Sequence, residues 1–414
     1  MELKPGYKRS EVGVIPEDWE VEPLHALADK IMVGIASAAT HAYRNEGVVM
    51  FRNQNIRSGY LDDSDVLYLD EAYEETYRNK RLKAGDLLTA RTGYPGTTCI
   101  VPPQYEGAQS FTTLITRPDR GRVDSDYLCC FINSEAGQAY FEQNQIGGGQ
   151  KNVNAGSLKF LTVPLPPTRV EQEAIAGALG DADAFIASLE QLVAKKHHIK
   201  QGVMQELMTG NTRLPGFDDA WKQSSLDAVS TRTAGFWGTS NPDNQHRVAA
   251  NIIRAGDISP SGGLLATASR YLTEPEFARA KCERDDVVIT GSGSVGKVWW
   301  CDGREHTAGS NFVRIIRPLS SRMSGAFLSH HLRSEATQVL MAEHITVGVL
   351  ANLSSSFFRE PWLALPPRAE QEAIAAILND MDKEIASLEA KLAKARNIRE
   401  GMTQNLLTGR VRLI

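Results

Sequence analysis

Gly291, Gly296 and Lys297, within "ITGSGSVGKVWW" at 289–300, have the spacing of a phosphate-binding loop. In such a loop, successive backbone N–H groups cradle phosphates and the lysine meets their oxygens. Two neighbours argue against that chemistry. Val298 stands where a magnesium-holding loop needs serine or threonine. The next residues, "VWWCDG", are a β-branched and aromatic run ending in a turn, where a phosphate loop must open a helix. The stretch therefore reads as strand, glycine turn, strand, and a nucleotide-binding enzyme is the weaker alternative. Other catalytic patterns are missing. There is no HExxH and no paired CxxC. "NPDN" at 241–244 and "VPPQY" at 101–105 both depart from the Asn/Asp-Pro-Pro-aromatic loop that holds a target amine. Cys301 and His306 lack further ligands nearby. His197-His198 and His330-His331 are adjacent pairs on predicted helices, so each pair points to different faces, and a solvated or partner-facing role is expected. The reading is of no catalytic residue and no metal site.

The same segments do carry groups that hydrogen-bond to base edges and phosphates. The second-half turn offers Ser292, Ser294 and Lys297; its first-half counterpart, "LTARTGYPGTTC" at 88–99, offers Arg91, Thr92 and Tyr94. "FRNQNIRSG" at 51–59 contributes Asn53, Gln54, Asn55 and Arg57, amides and a guanidinium that suit bidentate pairing with adenine and guanine. "YRNKRLK" (77–83) adds cations, and "QKNVN" (150–154) adds Lys151 and Asn152. Arg254, Asn311, Arg314 and Asn352 are comparable in the second half. These are the candidate DNA-binding residues.

Both turns sit inside one larger unit used twice. From Glu171 and from Glu370 the chain aligns with itself without a gap for 44 residues, of which 24 are identical. Trp19 matches Trp221. At an interval of 200, Asp86, Gly93, Gly96, Ser110, Arg117 and Asn152 match Asp286, Gly293, Gly296, Ser310, Arg317 and Asn352. The bodies have diverged more, with 8 of 37 positions shared between 82–118 and 282–318. Near-copied tails meet one demand twice; diverged bodies meet two demands on one backbone.

The tails position the bodies. After Pro166-Pro167 apolar residues recur at Ile175, Leu179, Ala182, Ile186, Leu189 and Val193, and in the second copy at Ile374, Leu378, Met381, Ile385, Leu388 and Leu392. This four-three alternation is a coiled-coil seam, slipping at Ile199 and Ile398. Glycines at 210 and 409 end two helices of about 40 residues, roughly 60 Å at ~1.5 Å per residue. Gly202 and Gly401 lie inside them and predict a close backbone approach or a bend. A long single-striped helix needs a partner, and the other copy is the simplest one. An antiparallel pair would hold two bodies at opposite ends about a pseudo-twofold axis. The bodies mix short strands with the helices 126–144 and 325–344. The class is α+β: two globular domains alternating with two long helices, at 1–164, 165–210, 211–364 and 365–414.

Composition narrows the class. Net charge is −5, from 45 basic and 50 acidic residues, which argues against a polybasic arm that grips nucleic acid indiscriminately. No apolar stretch is long enough to span a membrane, and the opening residues do not read as a secretory signal. Five cysteines without a CxxC pair suit reduced thiols and a cytoplasmic protein.

The repeated "LPP…EQEAIA…IASLE…LLTG…RL" tail, the "IPEDW" opening and "GSGSVGKV" followed by "GSNFVRIIRP" resemble the specificity subunit of a type I restriction–modification system, over essentially the whole chain. The resemblance implies two target-recognition domains that each read half of a split double-stranded DNA site. It implies antiparallel helices that set the unread spacer and dock two methyltransferase (modification) subunits. Motor-nuclease (restriction) subunits join through these. S-adenosylmethionine, ATP and Mg then belong to the partners and no cofactor to this chain. A coiled-coil scaffold without DNA preference is the alternative.

Overall fold

The computed structural model describes residues 5–37, 39–144, 152–237, 248–265 and 267–414; Lys151 and the "NPDN" run at 241–244 lie outside them. Each repeated tail forms one unbroken helix, Arg169–Thr209 and Arg368–Leu406. Gly210 (φ 72°) comes directly after the first, in the left-handed conformation that closes a helix. The second ends at Leu406, three residues before its counterpart Gly409 (φ 65°).

Contacts divide the chain into two units that do not coincide with the repeat. One comprises 1–189 with 391–414, the other 190–390. Each unit therefore contains one body, the front half of one long helix and the back half of the other.

In the first unit a four-stranded antiparallel sheet runs in the order Ala28–Val33, Leu114–Pro118, Leu87–Thr89, Thr98–Ile100. Alternation puts Leu87 and Leu114 on one face and Leu88, Cys99 and Ile115 on the other, and both faces are buried. The first face packs on the helices Ser125–Ile132 and Glu135–Gln143 through Tyr127, Phe131 and Phe141. Ile175, Leu179, Leu406 and Leu407 from the two long helices enter the same core. The second unit repeats this with Ser230–Ala234, Val313–Pro318, Val287–Thr290 and Val298–Trp300. Val287, Ile289 and Ile316 face the helical side, and Val288, Trp299 and Ile315 the other. Leu207, Met208, Ile374 and Leu378 join the helical side.

The seam is thus used in two ways. Leu179 and Leu378 anchor the helices in the body cores. Leu189, Ile385 and Leu392 are buried farther along, and Ile186, Val193 and Leu388 are half-buried. Polar contacts give the direction of pairing within each unit. In the first, Arg399 grips Asp183 with Nε at 2.8 Å and Nη2 at 2.9 Å, and Lys391 lies over the Phe185 ring. In the second, Lys196 pairs with Glu384 at 2.6 Å and Lys200 with Asp382. One residue number rises as its partner's falls, so the helices run antiparallel in both. Gly202 and Gly401 mark no close approach, because a Cβ built on either would meet nothing within 4 Å.

Three of the identities between the tails, Glu171/Glu370, Gln172/Gln371 and Arg213/Arg412, are explained by fasteners. Buried Gln172 accepts from Asp124 N (2.8 Å) and donates to Arg122 O and Pro166 O; buried Gln371 accepts from Ser324 N (2.9 Å) and donates to Arg322 O and Pro366 O. Glu171 takes two hydrogen bonds from Arg412, and Glu370 two from Arg213 plus one from Trp221 Nε1. Each copy's glutamate is met by the other copy's arginine.

Candidate nucleic-acid interface

Each glycine turn is held by the sheet below it and the helix behind it. Gly93 and Gly96 have φ of 80° and 94°, and Gly293 and Gly296 have 77° and 97°, values that only glycine adopts cheaply. A Cβ on Gly96 would strike the Phe141 ring at 2.4 Å. Gln138 Nε2 donates to Gly96 O (3.2 Å) and Ile132 O (2.8 Å), and Gln338 Nε2 donates to Gly296 O (2.9 Å) and Leu332 O (2.7 Å). Sequence reasoning does not single out these two glutamines. The one signal for them is their identity at an interval of 200, two residues past the matched runs Ser134-Glu135-Ala136 and Ser334-Glu335-Ala336.

Below the turns, Arg117 pairs bidentately with Asp86 (2.9 and 2.7 Å), and Arg317 with Asp286 (2.9 and 2.8 Å). Both aspartates are almost fully buried. Each also accepts from a backbone N–H, that of Lys83 or Glu283, and so fixes the start of the strand leading into the turn.

In the first body the turn gathers three other loops. Arg91 N donates to Asn53 Oδ1 (2.7 Å), Asn53 Nδ2 to Thr112 Oγ1 (3.2 Å) and Val153 N to Arg91 O (3.1 Å). Asn53, Arg91, Thr92, Tyr94 and Asn152 thereby come together, and Tyr94, 77% exposed, stands at the tip. Asn55 does not join them. It is buried, its Oδ1 caps Arg52 N, and its Nδ2 donates to Asp62 O and Asp65 O. It braces the 52–65 loop and has no edge left for a base. Gln54 is exposed with Nε2 on Asp65, and Arg57 pairs with Asp62 (3.1 Å). Three of the four cations of "YRNKRLK" are engaged internally: Arg81 with Glu74 and Glu75, Arg78 with Glu75, Lys80 with Gly34 O; Lys83 is exposed.

The second body gathers equivalent loops by different bonds. Gly291 N and Ser292 N donate to Phe312 O, next to Asn311. Ser292 Oγ bonds Asn352 Oδ1, and Lys297 Nζ reaches Ala255 O (3.4 Å) beside exposed Arg254. Ser292, Ser294, Lys297, Asn311, Asn352 and Arg254 thus line one cluster, with Ser294 exposed at its tip and Ser292 buried. Arg314 packs beside Gly291, and burial, with Arg232 nearby, lowers its pKa. The turn is the strand–turn–strand expected, with Gly296 N on Thr290 O (3.1 Å) and Thr290 N on Lys297 O (2.9 Å) closing it.

The histidine pair of the second body departs from expectation. His330 and His331 are buried, not solvated, because both helix faces at this point are covered. His330 Nε2 meets Asn379 Oδ1 (2.8 Å) while its Nδ1 faces Arg333, and His331 Nδ1 meets Thr337 Oγ1 (3.0 Å). Burial pushes their pKa values down to about 3 and about 4. Among the described residues no three His, Cys, Asp or Glu side chains group as a metal site, and no helix is long and apolar enough to cross a membrane.

Each unit also has a groove between its body helices and the long helices. In the first it measures about 1250 Å³ and is lined by Ser134, Glu135, Ala136, Thr403, Gln404 and Leu407, among others. In the second it measures about 570 Å³ and is lined by the matching Ser334, Glu335, Ala336, Met204, Gln205 and Met208.

Comparison with known proteins bears on this arrangement. The model of the type I restriction modification DNA specificity domain matches twice, at 16–199 and 221–396. The chain is 24% identical, over 98% of its length and 97% of the relative's, to a putative type I restriction enzyme MjaX specificity subunit of Methanocaldococcus jannaschii. Its fold is similar to the S subunit of a type I restriction–modification system from M. genitalium, with TM-score 0.63 and 14% identity over 98% of both chains. It is also similar to a chain from a structure on complex assembly and conformational transition of the type I R-M system, with TM-score 0.55 and 15% identity over 96% of this chain and 99% of that one.

Proposed function

Since the chain belongs to the type I restriction–modification DNA specificity family, we propose that its two loop clusters each read one half of a split DNA site. The observation that carries this reading is a contrast between frame and tips. The same Gln, Asp–Arg and glycine fasteners hold both turns, whereas the tips carry unlike groups: Arg91, Thr92 and Tyr94 in one, Ser292, Ser294 and Lys297 in the other. One frame with two sets of donors suits two different short sequences. Joining two weak readers makes the second contact intramolecular and raises affinity by roughly 10²–10⁴-fold.

The chemistry in this proposal belongs to partners. Two methyltransferase subunits dock on the near-identical helical regions, a reading supported by the matching grooves beside Ser134–Ala136 and Ser334–Ala336. Motor-nuclease subunits join through them. S-adenosylmethionine, ATP and Mg are held by those subunits, and this chain acts without a cofactor or catalytic residue, in the cytoplasm.

The test is to co-express the chain with the methyltransferase subunit and map methylated adenines across the host genome. A two-part motif with a fixed spacer is expected. Inserting seven residues, about two turns, into each long helix adds roughly 10 Å of rise and should lengthen the spacer by about three base pairs at ~3.4 Å each, with both half-sites unchanged. A contiguous motif, or a spacer indifferent to the insertion, refutes the proposal. A scaffold without DNA preference would give no motif.

A further inference from the structure

The hairpin flanking the second body's turn ends in Val347-Gly348-Val349-Leu350. Its strands, Ile345–Thr346 and Asn352–Leu353, pair antiparallel with Ile345 opposite Leu353. Val347 and Val349 are 89% and 104% exposed, and Leu350 49%. Single exposed aliphatics are ordinary, but three within four residues at one tip form a patch that points to a partner.

The tip is held in place. Inside the hairpin, Thr346 Oγ1 donates to Asn352 O (3.2 Å) and Asn352 Nδ2 to Leu350 O (3.0 Å). At its base, His344 Nδ1 and Ser356 Oγ are 2.9 Å apart. The glycine turn is bonded alongside: Gly293 N donates to Ala351 O (2.9 Å), Leu353 N to Gly291 O (2.9 Å), and Ser292 Oγ to Asn352 Oδ1. The apolar tip is therefore continuous with Ser292 and Asn352. On the far side of the same turn, Lys297 and Arg254 supply positive charge of the sign that phosphates require.

The major groove of DNA admits a two-stranded β-ribbon, and the apolar group that base edges present there is the C5-methyl of thymine. We propose that Val347, Val349 and Leu350 enter the major groove of the second body's half-site and read thymine methyl groups. The proposal rests on the DNA-reading function above. It concerns one half-site only, since the sequence at the corresponding positions of the first body, 147–150, is Gly-Gly-Gly-Gln and offers no aliphatic side chain.

The test uses the full chain assembled with the methyltransferase subunit, and duplexes of the mapped site in which each thymine of the second half-site is replaced singly by uracil. Removing a contacted methyl should weaken binding by about fourfold, the worth of one buried carbon. Val347→Ser/Val349→Ser should bind the thymine duplex more weakly and respond little to uracil, while first-half-site substitutions affect both proteins equally. The proposal is overturned if the half-site lacks thymine, if the wild type ignores every uracil while still binding specifically, or if the double variant keeps full thymine–uracil discrimination. It is equally overturned if the variant binds DNA normally but assembles poorly with the methyltransferase, which would make the tip a protein contact. Loss of all sequence preference by the wild-type assembly would instead defeat the DNA-reading proposal itself.

Discussion

Arg117→Met should loosen the first body's sheet at the point where it carries the glycine turn. Asp86 is 1% exposed, and its carboxylate accepts from Arg117 Nε and Nη2 and from Lys83 N. Removing the guanidinium leaves a buried charge with one backbone donor. Breaking a buried pair costs about 3–5 kcal/mol, which solvent screening around the partly accessible arginine reduces to about 2–3 kcal/mol. Converted to amide exchange at Leu87–Thr89, that is roughly 30- to 150-fold faster opening. Hydrogen exchange by mass spectrometry reads it directly, with strand Val287–Thr290 of the second unit as internal control. Asp86→Leu/Arg117→Met should recover most of the loss, because an apolar pair of similar volume carries no desolvated charge. Unchanged exchange in the single variant would refute the reasoning, as would a double variant as unstable as the single one.

In the folded second unit His330 and His331 stay neutral, with pKa values pushed from 6.5 to about 3 and about 4. The unfolded chain binds protons that the folded one does not, so stability is full above pH 6.5 and falls as pH drops below it. The first unit has Cys130 and Phe131 at those places, so the second should unfold first on acidification. That unit contains five of the six tryptophans, whose fluorescence reports on it, and His331→Gln should flatten the decline between pH 6.5 and 5. Burial pushes Cys99 to about 12 and Cys130 to about 11, so the native chain at about pH 7.5 should react slowly with a thiol-specific disulfide and quickly in urea. Gln338→Ala removes the hydrogen bond to Gly296 O that ties the second turn to the helix end at Leu332, and should weaken second-half-site binding by about fivefold, at ~1 kcal/mol for the one bond to the turn, leaving the first half-site's contribution intact in a binding titration.

The sequence discloses whatever depends on local pattern. The 200-residue repeat, the long helices and the strand–turn–strand at 287–300 all come from periodicity and turn chemistry that neighbours alone decide. Partners of polar residues are not legible, because they are set by tertiary contacts. Asn55 and Gln54 look alike in "FRNQNIRSG", yet one is a buried brace and the other is exposed. His330-His331 has the spacing of two different helix faces, and nothing local says that both faces are covered. The apolar hairpin tip is equally hidden, because nothing local in "ITVGVL" says whether its aliphatic side chains are covered.

The crossed fastening of the tails has a genetic consequence. Glu171 is answered by Arg412 and Glu370 by Arg213, so a single repeat on its own would keep a buried acid without its base. Half of the coding sequence would thus specify a product that satisfies itself by embracing a twin, Glu171 of one with Arg213 of the other. Such a twinned product would present the same tip twice and favour an inverted repeat. Duplication followed by drift of the tips alone is then enough to turn a palindrome reader into one that accepts two unrelated words.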